Sequence, residues 1–140
     1  MTEWSSKETR GAMIKVKSLF DAIEPDDGLR LWVEPLGLTR DLREWCQVNH
    51  VLPHLGPPTG LWDWFDLHPD GYGFFRASYH EWLGKGKYKP ALQELAAAGL
   101  RQTFTLVHQG ENPTENTATA LYEYLCELQS WVPPKSSPEA

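Results

Sequence analysis

The stretch from Leu92 to Leu128 reads as helix, strand, loop and helix in close succession, and no other part of the chain limits the fold so tightly. Thr103 to Val107 (TFTLV) is a short β-branched and apolar run, the kind buried on both faces of a parallel sheet. Before it, Leu92, Leu95 and Ala96 recur at helical spacing, and Gly99 is positioned to cap that helix at its end. After it come the loop residues His108, Gln109, Gly110 and Glu111 and then a helix start, with Asn112 as N-cap, Pro113 at the first position and Glu115 completing a capping box. Ala118, Leu121, Tyr122, Leu125 and Leu128 form one apolar stripe able to lie against a sheet. The pattern predicts a single α/β domain with a small, mostly parallel sheet covered by helices. In open α/β sheets ligands sit beyond the carboxyl ends of the strands. His108 to Asn116 is therefore the first place to look for a site.

The strand needs partners, and the N-terminal half supplies them. Ile14, Val16 and Ser18 alternate with Lys15 and Lys17 in a first strand; the run from Glu24 to Gly28 (EPDDG) makes a turn, and Leu29 to Val33 (LRLWV) makes a second strand. The central pair of the sheet is expected to be Leu29 to Val33 with Thr103 to Val107. Leu38 to Gln47 reads as a helix capped by Thr39, with Leu42, Trp45 and Cys46 on one face. Asn49 to Pro58 reads as a loop held by its prolines. Thr59 is expected to cap a short helix through Leu61, Trp62 and Phe65, and His68-Pro69 to open the next one. There Tyr72, Phe75, Tyr79 and Trp82 fall three and four apart, with Phe74 and Ser78 widening the stripe, before a flexible basic turn at Gly84 to Gly86. Residues 1–12 are polar and aperiodic, a loose arm. Residues 132–140 are rich in proline and serine, a tail expected to be disordered. The folded domain is then 13–131.

Charge excludes two classes of partner. The net charge is -6, and no basic run is denser than Lys85, Lys87 and Lys89, so neither nucleic acid nor an anionic membrane is expected. With no long apolar run, a soluble, cytoplasmic protein is expected. Cys46 and Cys126 lack motif spacing and read as free thiols. Cys46, His50 and His54 are spaced by four, which on one continuous helix would present soft metal ligands, but Pro53 breaks that helix. No metal and no cofactor is expected.

The polar residues that the topology can gather near the strand ends are Arg30, Glu34, His68, His108 and Asn116, with Gln109 in the same loop. Glu34 with His68 or His108 could work as a catalytic acid–base pair, and Arg30, Gln109 and Asn116 could bind and orient a small polar substrate. Each has a plainer reading beside it: Arg30 paired with Asp26 or Asp27, His68 as a helix cap, Asn116 bonded to backbone in a first helical turn. Trp64 is out of phase with Trp62 and Phe65, which predicts an exposed ring available to a ligand or protein partner. Binding of a small molecule or a protein partner is the first expectation, and hydrolysis or isomerisation of a small molecule by a His/Glu pair the alternative.

Several segments taken together resemble the YeaO-like family of small uncharacterised bacterial proteins, domain of unknown function 488. The segments are Met13 to Asp21, Glu24 to Arg30, Leu61 to Asp70, the Phe75-Arg76, Tyr79 and Glu81 to Leu83 helix, Leu95-Ala96 with Gly99, Thr103 to Val107 and Asn116 to Leu121. The resemblance implies an α/β domain in three layers and supplies no established activity. Family members typically follow the second strand with Asp-Arg-Leu-Trp-Pro-Arg-Gly, where this chain has Glu34-Pro35-Leu36-Gly37-Leu38-Thr39-Arg40. After the last strand the family tends to carry a basic residue, and here stand His108, Gln109, Gly110 and Glu111. Positive charge is missing from both strand ends, which implies a lost or altered ligand if the family binds an anion there.

Overall fold

Alternate residues of the strands feed two separate apolar clusters, and this explains why those strands are hydrophobic throughout rather than on one face. The structure, a computed structural model, describes residues 12–130; the expected arm, apart from Ala12, and the expected tail lie outside the described residues. Four strands, β1 (Ile14–Ser18), β2 (Leu29–Trp32), β3 (His50–Val51) and β4 (Phe104–His108), form one sheet in the order β1-β4-β2-β3 with every pairing parallel. Leu31, Val33, Phe104 and Leu106 enter one cluster, whereas Trp32 and Val107 enter the other with Leu19, Cys46 and Val48. The central pair is β4 and β2, as the sequence predicts.

Five helices cover the sheet: α1 (Arg40–Trp45), α2 (Thr59–Leu67), α3 (Tyr72–Lys85), α4 (Lys89–Ala98) and α5 (Thr117–Ser130). The larger cluster lies under α3, α4 and α5, with Phe75, Tyr79, Leu83, Leu92, Ala96, Leu121 and Leu125 all buried. Burying a side chain of this size contributes about 1.5–3 kcal/mol each. Tyr79 also donates its hydroxyl hydrogen to the Leu55 carbonyl, so its polar end is satisfied inside the core. The opposite face is covered by the segment around α1, through Cys46, Val48 and the half-buried Leu38.

Several local expectations change. The last strand runs one residue further than its apolar run, because His108 pairs with Ser18 and its carbonyl accepts from Leu19 N. The final helix starts at Thr117 rather than near Pro113: Asn116 Oδ1 accepts from Thr119 N at 2.7 Å, so the cap is Asn116. Asn112 makes similar bonds one turn earlier, to Thr114 N and Glu115 N. Pro58, not Thr59, precedes α2, and His68 closes that helix instead of opening the next, which begins after Gly71. The 49–58 segment contains β3 and a 3-10 turn at Pro53–Leu55. Lys85 and Gly84 belong to α3, while Phe74 is turned out of its stripe and is exposed. On α1, Thr39 caps as expected, but Leu42 and Trp45 are exposed and only Cys46 is buried.

Two glycines are dictated by contact. Gly28 has φ 65°, and a Cβ there would stand 2.0 Å from the Thr103 carbonyl oxygen, so the turn into β2 admits no side chain. Gly99 has ordinary helical angles and no left-handed cap; a Cβ on it would lie 2.7 Å from Ile14 Cγ1.

Candidate functional site

Beyond the carboxyl ends of β2 and β4 lies a cleft of about 240 Å³ with Glu34 in its wall. Glu34 stands two residues past the end of β2, beyond the buried Val33, and its carboxylate lies in the interior, where the residue is 3 % exposed. Its oxygens are held by two uncharged donors, the Trp62 indole at 2.9 Å and the Gln109 amide at 3.1 Å, and the Thr117 hydroxyl stands close by at the start of α5. Burial pushes the Glu34 carboxyl above its ordinary range, and these three groups moderate the rise by favouring the ionised form. The N-terminus of α5 adds a favourable dipole for negative charge.

Around Glu34 the cleft presents Asp66, Glu111 and Glu115, the polar groups of Gln109, Asn112, Asn116 and Thr117, and an apolar side of Trp62, Phe65 and Pro69. Four carboxylates line it, and no lysine, arginine or histidine does. The arrangement suits a donor-rich or positively charged ligand and repels an anion.

Of the seven residues singled out in the sequence, the cleft brings together Glu34, Gln109 and Asn116. Asn116 spends its side chain inside the protein, with Oδ1 capping α5 and Nδ2 donating to the Asn112 carbonyl at 2.8 Å. His108 is buried, accepts from Gly110 N at Nδ1, and is held neutral by burial, its pKa lowered to about 4. His68 is exposed at the end of α2, with Nδ1 2.9 Å from the Trp64 carbonyl and its ring stacked on Trp64. Neither histidine lines the cleft or hydrogen-bonds to Glu34. Trp64 is half-buried against His68, Phe74 and the larger core cluster, not an exposed ring. Arg30 lies toward the other end of β2, buried and bonded to Asp27.

The partners of Glu34 could not be read as such from the sequence. Trp62 is 28 residues away and looks like one more core aromatic. Asp66 follows Trp62 by one helical turn, so their shared face is legible once Trp62 is known to meet Glu34. Cys46, His50 and His54 do not converge: Cys46 Sγ faces the Leu19 carbonyl and the His54 ring packs at a tilt against Tyr88. Among the described residues the one acidic cluster with metal-like spacing is Glu24, Asp26 and Asp27, and its oxygens already hold Lys15 and Lys17. No helix among the described residues is long and apolar enough to cross a membrane.

Residues 15–125 match the family described as Domain of unknown function DUF488. No curated protein and no solved structure matches the chain.

Proposed function

The chain belongs to the DUF488 family, an uncharacterised family, and from that starting point we propose that it binds a small organic cation in the cleft at the carboxyl ends of its strands. The observation that carries this reading is the all-acidic charge of the cleft: Glu34, Asp66, Glu111 and Glu115 with no basic counterpart. Glu34 is the anchor, buried in low dielectric where an ammonium or guanidinium group gains most from a carboxylate. The rim acids, in water, attract and orient rather than hold. Phe65, Trp62 and Pro69 accept the ligand's carbon skeleton. The volume admits a molecule smaller than a typical drug. A catalytic use of His68 or His108 has no comparable support, because Glu34 has other partners.

The test is calorimetric titration of the full chain with agmatine, spermidine and glucosamine, each against an uncharged analogue of similar size. The expected result is saturable binding of at least one cation, weakened about tenfold or more by Glu34→Gln and several-fold by Asp66→Asn, with the uncharged analogues inert. Since burial raises the Glu34 pKa, affinity should fall on acidification as that carboxylate protonates. Equal binding of cations and uncharged analogues, or binding of none of the three, would overturn the reading.

A further inference from the structure

If the cleft beside Glu34 holds a cation, as proposed above, the state of that carboxylate decides which kind. Each of its oxygens already accepts a hydrogen bond, Oε1 from the Trp62 indole at 2.9 Å and Oε2 from the Gln109 amide at 3.1 Å. Only 3 % of the residue is exposed, so little of either oxygen is left open to a donor on a ligand. What Glu34 still offers the cleft is charge, acting through an interior of low dielectric. The neighbouring side-chain amides are spent in a similar way: Asn112 Oδ1 takes the Thr114 and Glu115 N–H groups, and Asn116 Oδ1 takes that of Thr119.

A primary ammonium carries three N–H donors and is strongly hydrated. Brought against Glu34, it would lose its water and find few acceptors in exchange, and unmet donors on a charged group are the costly kind. A fully N-methylated ammonium has no N–H to satisfy. It carries the same charge beneath a shell of methyl groups, and it asks of its site a negative field and an apolar wall. The cleft has both. Trp62 and Phe65, half-buried and three residues apart on α2, line it together with Pro69. Both rings are fixed from behind: the indole is tied by its N–H to Glu34, and the Phe65 ring is stacked on the buried Phe75 ring at 4.3 Å. One face of Phe65 is thus used by the core, and the rest of the ring is what the cleft receives. Aromatic rings are the usual partners of quaternary ammonium groups. Asp66, Glu111 and Glu115 at the exposed rim extend the negative field outward.

We infer that the cleft selects quaternary over primary ammonium groups, the methyl groups packing on Trp62, Phe65 and Pro69 while Glu34 supplies charge without accepting a hydrogen bond from the ligand. A space of about 240 Å³ takes such a head with a short tail.

The experiment is calorimetric titration of the full chain with choline, ethanolamine and the neutral alcohol in which carbon replaces the choline nitrogen, repeated on Phe65→Leu and Trp62→Phe. Choline is expected to bind about tenfold tighter than either of the other two. Phe65→Leu keeps the wall apolar but removes a ring, so choline weakens several-fold and ethanolamine hardly changes. Trp62→Phe removes the indole N–H and frees Oε1 of Glu34, so ethanolamine gains and the preference for choline narrows. The ratio of the two cations is the readout, since a loosened fold weakens both together. Choline no tighter than ethanolamine, or silent where agmatine binds, overturns the inference and leaves the cation site standing. A preference for choline that neither variant moves overturns it too. Choline matched by the neutral alcohol, or silence of choline and agmatine alike, removes the cation site as well.

Discussion

The start and the end of β2 solve the same problem, a buried charge, in opposite ways. At the start, Arg30 and Asp27 neutralise each other within a network completed by Lys15 and Lys17. At the end, Glu34 stands without any cation and is held by an indole and a backbone amide, with a hydroxyl close by. The electrostatic consequences diverge. Burial disfavours ionisation of Asp27 too, but hydrogen bonds from Lys15 and Lys17 outweigh it and hold that carboxyl well below the usual range. Glu34, with dipoles only, is pushed up. A charge paired with its opposite has a structural role; a charge held by dipoles keeps its attraction for a ligand.

Removing a partner breaks the comparison most sharply. Asp27→Asn strands Arg30 inside the protein and should cost about 3–5 kcal/mol in urea unfolding at neutral pH. A loss under 1 kcal/mol would mean that the network is not the anchor of this end. The pH dependence separates the two ends by sign. For Asp27 the folded pKa is depressed, so its contribution is present above the unfolded value near 4 and lost as pH falls toward the folded one. For Glu34 the folded pKa is raised, so stability declines as pH rises from the unfolded value through the folded one. Subtracting the stability profile of each variant, Asp27→Asn and Glu34→Gln, from that of the wild type should give curves of opposite slope. The His108 contribution, itself lost as pH falls from about 6.5 to about 4, cancels in both differences. The smallest effect concerns the helix that brings Thr117 close to Glu34. Asn116→Ala removes the cap on Thr119 N and should cost about 1 kcal/mol in the same denaturation assay.

The strands were legible because a sheet buried on both faces writes itself as continuous apolar runs, and LRLWV and TFTLV have no other ready use. The bond from Arg30 to Asp27, three residues apart, was within reach of the same reading. Helix ends were harder. Asn112 and Asn116 both make short-range bonds to following amides, and only the packing of α5 decides which one starts the helix. His68-Pro69 has the composition of a helix start, yet the imidazole bonds backward to Trp64 and closes α2. Trp64, read as exposed from its phase, is covered from outside its own helix by Phe74 and Gly71. The cleft was half legible: the rule of strand ends points to Glu34 and Gln109, but the contact from Trp62 joins segments that no local pattern relates.

The strand order also governs how the domain can be made. β1 and β2 do not touch; Ile14 and Leu29 both pair with Phe104, far along the chain. On a ribosome the first two strands therefore emerge long before the strand that unites them, and wait with apolar edges exposed. Such non-local closure slows folding and leaves a nascent chain dependent on protection from aggregation. A circular permutation that opens the chain before β4 would place β4 and α5 ahead of β1 in synthesis and shorten that wait.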